Sequence, residues 1–225
     1  MRTLLNHLQE SLLSLVNRLG YRLTLIDRIS FLEPLLYSIL KANGHVSFVQ
    51  IGANDGKRFD ALYRFIAMNH TRVGGIVVEP VKDYFQELKF NYRRFPNIIP
   101  VNVVIHHDER RMTMYRVDPA KQHKLPDWTK GIASFNPHHH EFSNIPADVM
   151  IQEEVQCIPF DELLNQHQIE RIDLLQIDTE GYDAEIITHI DFERVKPVAD
   201  LFPRPRRRHL VYFSLPASLA VAVSR

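Results

Sequence analysis

The chain's 225 residues are enough for one domain with appendages or for a domain cut short, and 45% hydrophobic with 24% charged residues is the balance of a globular protein with a core. Lys plus Arg and Asp plus Glu each total 27, so no overall field draws the chain to nucleic acid or to an anionic membrane. A single cysteine, Cys157, excludes an intrachain disulfide framework and suits a reducing compartment.

No apolar stretch is long enough to span a bilayer. Glu10, Asn17 and Arg18 interrupt the N-terminal leucines, and no small-residue cleavage site follows them. These features predict a cytoplasmic protein. Leu4, Leu5, Leu8, Leu12, Leu15, Val16 and Leu19 recur at helical spacing and stop at Gly20. A second helix is predicted over residues 31–42, opened by the capping pair Ser30 and Glu33 and closed by Gly44. Together they form an N-terminal helical extension, residues 1–44, that packs as a lid or forms a surface for homo-oligomers.

Residues 46–51 read as a buried strand, and the run Gln50-Ile51-Gly52-Ala53-Asn54-Asp55-Gly56 that closes it is a tight polar turn bracketed by glycines. Its spacing is G-x-x-x-G, not the G-x-G-x-x-G of a dinucleotide turn, and Arg58 stands where a phosphate-binding loop needs Ser or Thr after its lysine. A pyrophosphate cradle is therefore disfavoured, and a smaller zwitterionic cofactor fits better. A helix over 58–69 buries Leu62, Phe65 and Ile66. Strand 76–80 then ends in Glu79, a carboxylate placed to accept both hydroxyls of a ribose. A helix over 81–95 with Tyr84, Phe85, Leu88 and Tyr92 inward and a strand over 98–105 complete a parallel half-sheet.

Two alternating segments, 111–117 and 153–158, flank an irregular insertion from about 118 to 151 that carries Trp128, Gly131, Ser134 and the triplet His138, His139 and His140. Three consecutive histidines cannot converge on one ion, and no cysteine accompanies them at structural spacing, so no metal site is expected. Cys157 lies in an alternating strand and reads as a packed thiol. A short helix over 160–167 precedes another buried strand, 172–177, which ends in Asp178, Glu180 and Gly181. Both acids emerge at the sheet edge shared with the glycine turn.

With these residues the sequence resembles the FkbM family of S-adenosylmethionine-dependent methyltransferases. The resemblance rests on Ile51-Gly52-Ala53-Asn54-Asp55-Gly56, Val78-Glu79-Pro80 and Ile177-Asp178-Thr179-Glu180-Gly181, with Gly131-Ile132-Ala133-Ser134-Phe135 as a weaker element. It covers about residues 46–197. It implies an α/β fold: a class I methyltransferase, Rossmann-like sheet with helices on both faces. It also implies S-adenosyl-L-methionine as cofactor and methylation of a hydroxyl on a sugar, glycan or other small metabolite. Carried over, the turn from Gly52 to Gly56 holds the methionine end, Glu79 the ribose, and the segment from His106 to Asp108 the adenine. Asp178 and Glu180 face the methionine end and the acceptor. Glu180 is the first candidate for general base, with His138 and His140 second if the insertion folds over the pocket.

Two features depart from the family pattern. Gln50 stands where many such enzymes carry an acid, so it offers the cofactor's ammonium a carbonyl oxygen without charge. This shifts the expected burden to Asp178, Glu180 or Asp55. After Pro197 the sequence loses the pattern and passes through Arg204-Pro205-Arg206-Arg207-Arg208. Residues 45–197 are accordingly expected to form an incomplete domain with its C-terminal strands missing, and 198–225 an aberrant tail. Strand 172–177 would then be an exposed edge. A nicotinamide-dependent oxidoreductase, opposed by the glycine spacing, and a non-catalytic cofactor-binding remnant, motivated by the tail, are the alternatives.

Overall fold

The computed structural model describes residues 32–58, 60–179, 181–195, 199–202 and 210–213. The predicted helix over residues 4–19 and the basic run 204–208 lie outside them. By internal contacts the chain divides into Met1–Leu35 and Leu36–Arg225, and among the described residues every strand belongs to the second unit.

A parallel sheet organises that unit. Strand β1 (Val46–Ile51) lies between β2 (Val73–Val78) and β8 (Leu174–Ile177), and β3 (Ile98–Val101) pairs with β2 on the far side. Because β1 is covered on both faces, its sequence is mostly apolar, with Ser47 and Gln50 the polar exceptions. Val46, Phe48, Val49 and Ile51 are all at most 3% exposed. On one face Val49 and Ile51 pack with Phe160, Leu163 and Leu164 of α5 (Phe160–Gln166) and with Ile186 of α6 (Asp183–Thr188); Val195 of α7 (Phe192–Val195) joins the same cluster. By the alternation of a strand, Phe48 and Gln50 face the other way. Three further helices supply buried residues apart from that cluster. These are α1 (Leu32–Asn43) with Leu36, Ile39 and Leu40, α2 (Ala61–Asn69) with Leu62, Phe65 and Ile66, and α3 (Lys82–Tyr92) with Tyr84, Leu88 and Tyr92. Edge-to-face ring contacts join Tyr37 to Phe65 and Tyr63 to Tyr92.

At the opposite end of β1 from the glycine turn, Asp173 is fully buried. Its carboxylate accepts from the Ser47 amide at 2.9 Å, from Asn43 Nδ2 at 3.3 Å, and from Arg171 Nε and Nη2 at 3.0 and 2.7 Å. One side chain thus ties α1, β1 and the entry to β8 together, which fixes the register of the central pair.

A second, smaller sheet has the order β4-β7-β5-β6, from β4 (Val104–Ile105), β5 (Arg111–Val117), β6 (Ala133–Ser134) and β7 (Met150–Ile158). β5 and β7 pair antiparallel from Arg111 opposite Gln156 to Val117 opposite Met150, closing the insertion at its base. Within the insertion a one-turn helix α4 (His139–Phe142) and short 3₁₀ turns replace any long element. Cys157 is buried in β7, as a packed thiol should be, and burial pushes that thiol up to about 11.

Two expectations require correction. The predicted strand over 98–105 is two strands in two sheets. Asn102 turns the chain between them, and its Nδ2 donates to the carbonyls of Glu79 and Pro80, both at 2.8 Å. The strand 172–177 is not an edge either, and C-terminal strands are present. β9 (Ala199–Phe202) pairs parallel with β8, and β10 (Leu210–Phe213) pairs antiparallel with β9. The antiparallel return needs no crossover helix, so fewer residues suffice than a parallel addition would demand.

Candidate active site

Where β1, β2 and β8 end, a cavity of about 260 Å³ opens. Gly52 begins the turn that roofs β1 with φ +81°, and a Cβ there would lie 1.9 Å from the Asp178 carbonyl oxygen. Only glycine lets the tips of β1 and β8 come this close. The Gly52 and Ala53 amides both donate to the Val78 carbonyl, at 3.0 and 2.9 Å, which locks the turn onto β2. Gly56, at φ +65°, has a different task. A Cβ on it would strike Leu88 and Tyr92 at 2.3 and 2.4 Å, so it seats α3 beneath the turn and does not line the cavity. Asp55 does line it, yet Asp55 Oδ1 is held by the amides of Lys57 and Arg58 at 2.8 and 2.9 Å.

Glu79, at the tip of β2, points at this turn. Its Oε2 accepts from the Asn54 amide at 2.8 Å and its Oε1 from the Val81 amide at 2.9 Å, leaving each oxygen a further lone pair. Burial pushes the carboxyl up to about 7. The repulsion of Glu153 adds to the rise, while the two amide bonds and Arg116 oppose it. Arg116 is itself buried between Asp83, at 2.9 Å, and Glu153.

Below the turn, Gln50 and Gln176 stand directly opposite one another on β1 and β8 and both line the cavity. The Oε1 of each is buried without a hydrogen-bond partner. Beside them is Asp60, the N-cap of α2. Its Oδ1 accepts from the Leu62 amide at 2.7 Å and its Oδ2 from the Tyr92 hydroxyl at 3.0 Å, and the Gln50 side chain bonds to it as well. Burial raises its carboxyl to about 6 against those three bonds and one from the Tyr63 amide. Val103, Val104, Ile105 and Met114 supply an apolar side. Phe135 and Tyr182 meet edge to face at 4.7 Å, and half-exposed Trp128 closes the aromatic wall.

Thus Gln50, Gly52, Ala53, Asn54, Asp55, Glu79 and Asp178 come together around one cavity. The other candidates stand apart. His106 lines a smaller neighbouring cavity with His107, Glu185 and His189, which shares Ile105 and Ile186 with the main one. Its ring stacks on Tyr182 at 6.0 Å, and its Nδ1 accepts from the amides of Asp108 and Glu109 at 3.1 Å. Asp108 lines neither cavity; its exposed carboxylate pairs with His107 Nε2 at 2.8 Å. His138 meets Glu141 at 2.9 Å on the surface and His140 meets the Ile145 carbonyl at 2.7 Å, both away from the cavity. Glu180 lies outside the described residues. The metal-like grouping among the described residues is His106, His107 and Glu185, whose donor atoms fall within 4.8 Å of one another.

Asp60, Gln176 and Tyr182 escaped the sequence reading. Gln50 and Gln176 carried a signal: each is a polar residue one place before the end of a largely apolar buried strand, where an unpaired amide is costly unless something binds it.

The model of the methyltransferase FkbM domain matches residues 50–211, the greater part of the chain. The chain belongs to the FkbM methyltransferase family. No curated protein and no solved structure gives a significant match. In this FkbM methyltransferase the family region begins at Gln50, on the cavity floor, and runs through both sheets into β10. It therefore includes every described residue that lines the cavity.

Proposed function

We propose that the protein is an S-adenosylmethionine-dependent methyltransferase acting on a hydroxyl of a sugar, glycan or other small metabolite. The observation that carries this reading is the set of acceptors at the cavity. The unpartnered Oε1 atoms of Gln50 and Gln176 lie on its floor, and the Glu79 carboxylate stands at its rim beside the glycine turn. That set suits a ligand presenting an ammonium and two vicinal hydroxyls, which S-adenosylmethionine does. When bound, the cofactor supplies an electrophilic methyl group on sulfur.

In this reading Glu79 accepts the ribose hydroxyls and the turn from Gly52 to Asn54 receives the methionine end. Val103, Val104 and Ile105, on the side of His106, would hold the adenine. The aromatic wall of Trp128, Phe135 and Tyr182 offers apolar faces to the acceptor and excludes water, which favours transfer by orientation. The acceptor's hydroxyl proton passes to a carboxylate, that of Asp178 at the cavity or that of Glu180 two residues further along the sequence.

A dinucleotide is a poorer fit for a physical reason. Anion sites at a βα turn need free amides, but here the Lys57 and Arg58 amides are taken by Asp55 and the Leu62 amide by Asp60. Two carboxylates thus take the amides that a pyrophosphate would need. Calorimetric titration tests the choice: S-adenosylmethionine and S-adenosylhomocysteine are expected to bind at micromolar concentration and NAD not at all. Binding of NAD alone would overturn the reading.

A further inference from the structure

Resting on that cofactor reading, we infer that Asp60, acting through Gln50, is the positioning counter-charge for the α-ammonium of the cofactor.

An ammonium brought into a partly buried cavity needs an opposing charge, because neutral oxygens alone do not repay its lost hydration. The sequence offers none at position 50, where a glutamine stands. The acids at the turn are otherwise engaged. Asp55 Oδ1 accepts from the Lys57 and Arg58 amides, and the Arg58 guanidinium lies 3.5 Å from its second oxygen. Glu79 is stitched to the amides of Asn54 and Val81.

Asp60 combines three features. Among the described residues no ion pair joins it to a cation. The Leu62 amide and the Tyr92 hydroxyl fix one oxygen each, so its orientation is set from α2 and α3 at once. It also bonds to the Gln50 side chain, whose only donor is Nε2. That bond aims Gln50 Nε2 at the carboxylate and leaves Oε1 unpartnered.

The consequence is a relay: carboxylate, amide, then ammonium. Donation from Nε2 to an anion polarises the amide and makes its Oε1 a stronger acceptor. Gln176 Oε1, opposite on the neighbouring strand, supplies a second acceptor for a group that has three protons to give.

The test compares two ligands that share adenosine but differ in the amino acid. These are S-adenosylmethionine and 5′-methylthioadenosine, titrated into the full chain and its variants. Asp60→Asn keeps both the N-cap and the shape. It is expected to weaken S-adenosylmethionine by about 10- to 100-fold while leaving methylthioadenosine almost unchanged. Combining Asp60→Asn with Gln50→Glu, which puts the charge directly at the floor, is expected to restore the preference. If Asp60→Asn fails to fold, Gln50→Leu severs the relay with Asp60 still present and is expected to give the same selective loss. Equal loss of both ligands, or of neither, overturns the inference while the nucleoside pocket survives. Failure of the unaltered protein to bind either ligand removes the pocket reading and the inference with it.

Discussion

Glu79 is a buried carboxyl whose titration is displaced into the neutral range, to about 7 from an ordinary 4.5, chiefly by lost hydration. In the free protein the folded state therefore holds a proton that the unfolded chain has released. This acid stabilises the fold least above about 7, and stability falls as pH rises from about 4.5 to that point. Ribose hydroxyls that donate to Glu79 favour the anion and must expel the proton. Affinity for 5′-methylthioadenosine is thus expected to rise from about pH 5 to about pH 7 and then level, with proton release visible in calorimetry across buffers of different ionisation heat. Using this ligand keeps the ammonium relay at Asp60 out of the measurement. Glu79→Gln should bind more weakly with no such slope; an unchanged slope in that variant would mean another group controls the nucleoside.

The elements that build the site hold it by a few ties, and Asp173 is the clearest. Asp173→Ala leaves the half-buried Ser47 amide without a partner and releases Asn43 and Arg171. A loss of about 1–3 kcal/mol in urea unfolding is expected, and an unchanged midpoint would show that the strand pair is set by packing alone. Strands β1, β2 and β8 are legible in the sequence because burial on both faces writes them as apolar runs, and the glycines and acids at their ends mark the turns. The split between β3 and β4 is not legible, since Ile98 to Ile105 stays apolar apart from Pro100 and Asn102. The switch of sheets is a tertiary event, made by Asn102 reaching the carbonyls of Glu79 and Pro80. The insertion has no periodic pattern because its 3₁₀ turns are too short to carry one. Asp60 is the N-cap of α2, a helix that the sequence pattern started at residue 58. Its place behind Gln50 depends on how α2 docks against β1, which no local pattern encodes.

At the scale of the molecule, a six-stranded sheet in the order β10-β9-β8-β1-β2-β3 brings three strand tips to one cavity, and the small sheet of the insertion closes one side of it. No helix among the described residues is long and apolar enough to cross a membrane. On the proposed reading, cofactor and acceptor meet in the cavity that both sheets line, with the aromatic wall facing the incoming hydroxyl. The most direct test is a crystal structure of the complex with S-adenosylhomocysteine. Its ribose hydroxyls are expected within hydrogen-bond distance of the Glu79 carboxylate, and its ammonium against the Oε1 atoms of Gln50 and Gln176. A nucleoside seated elsewhere, with those two oxygens still bare, would contradict the account.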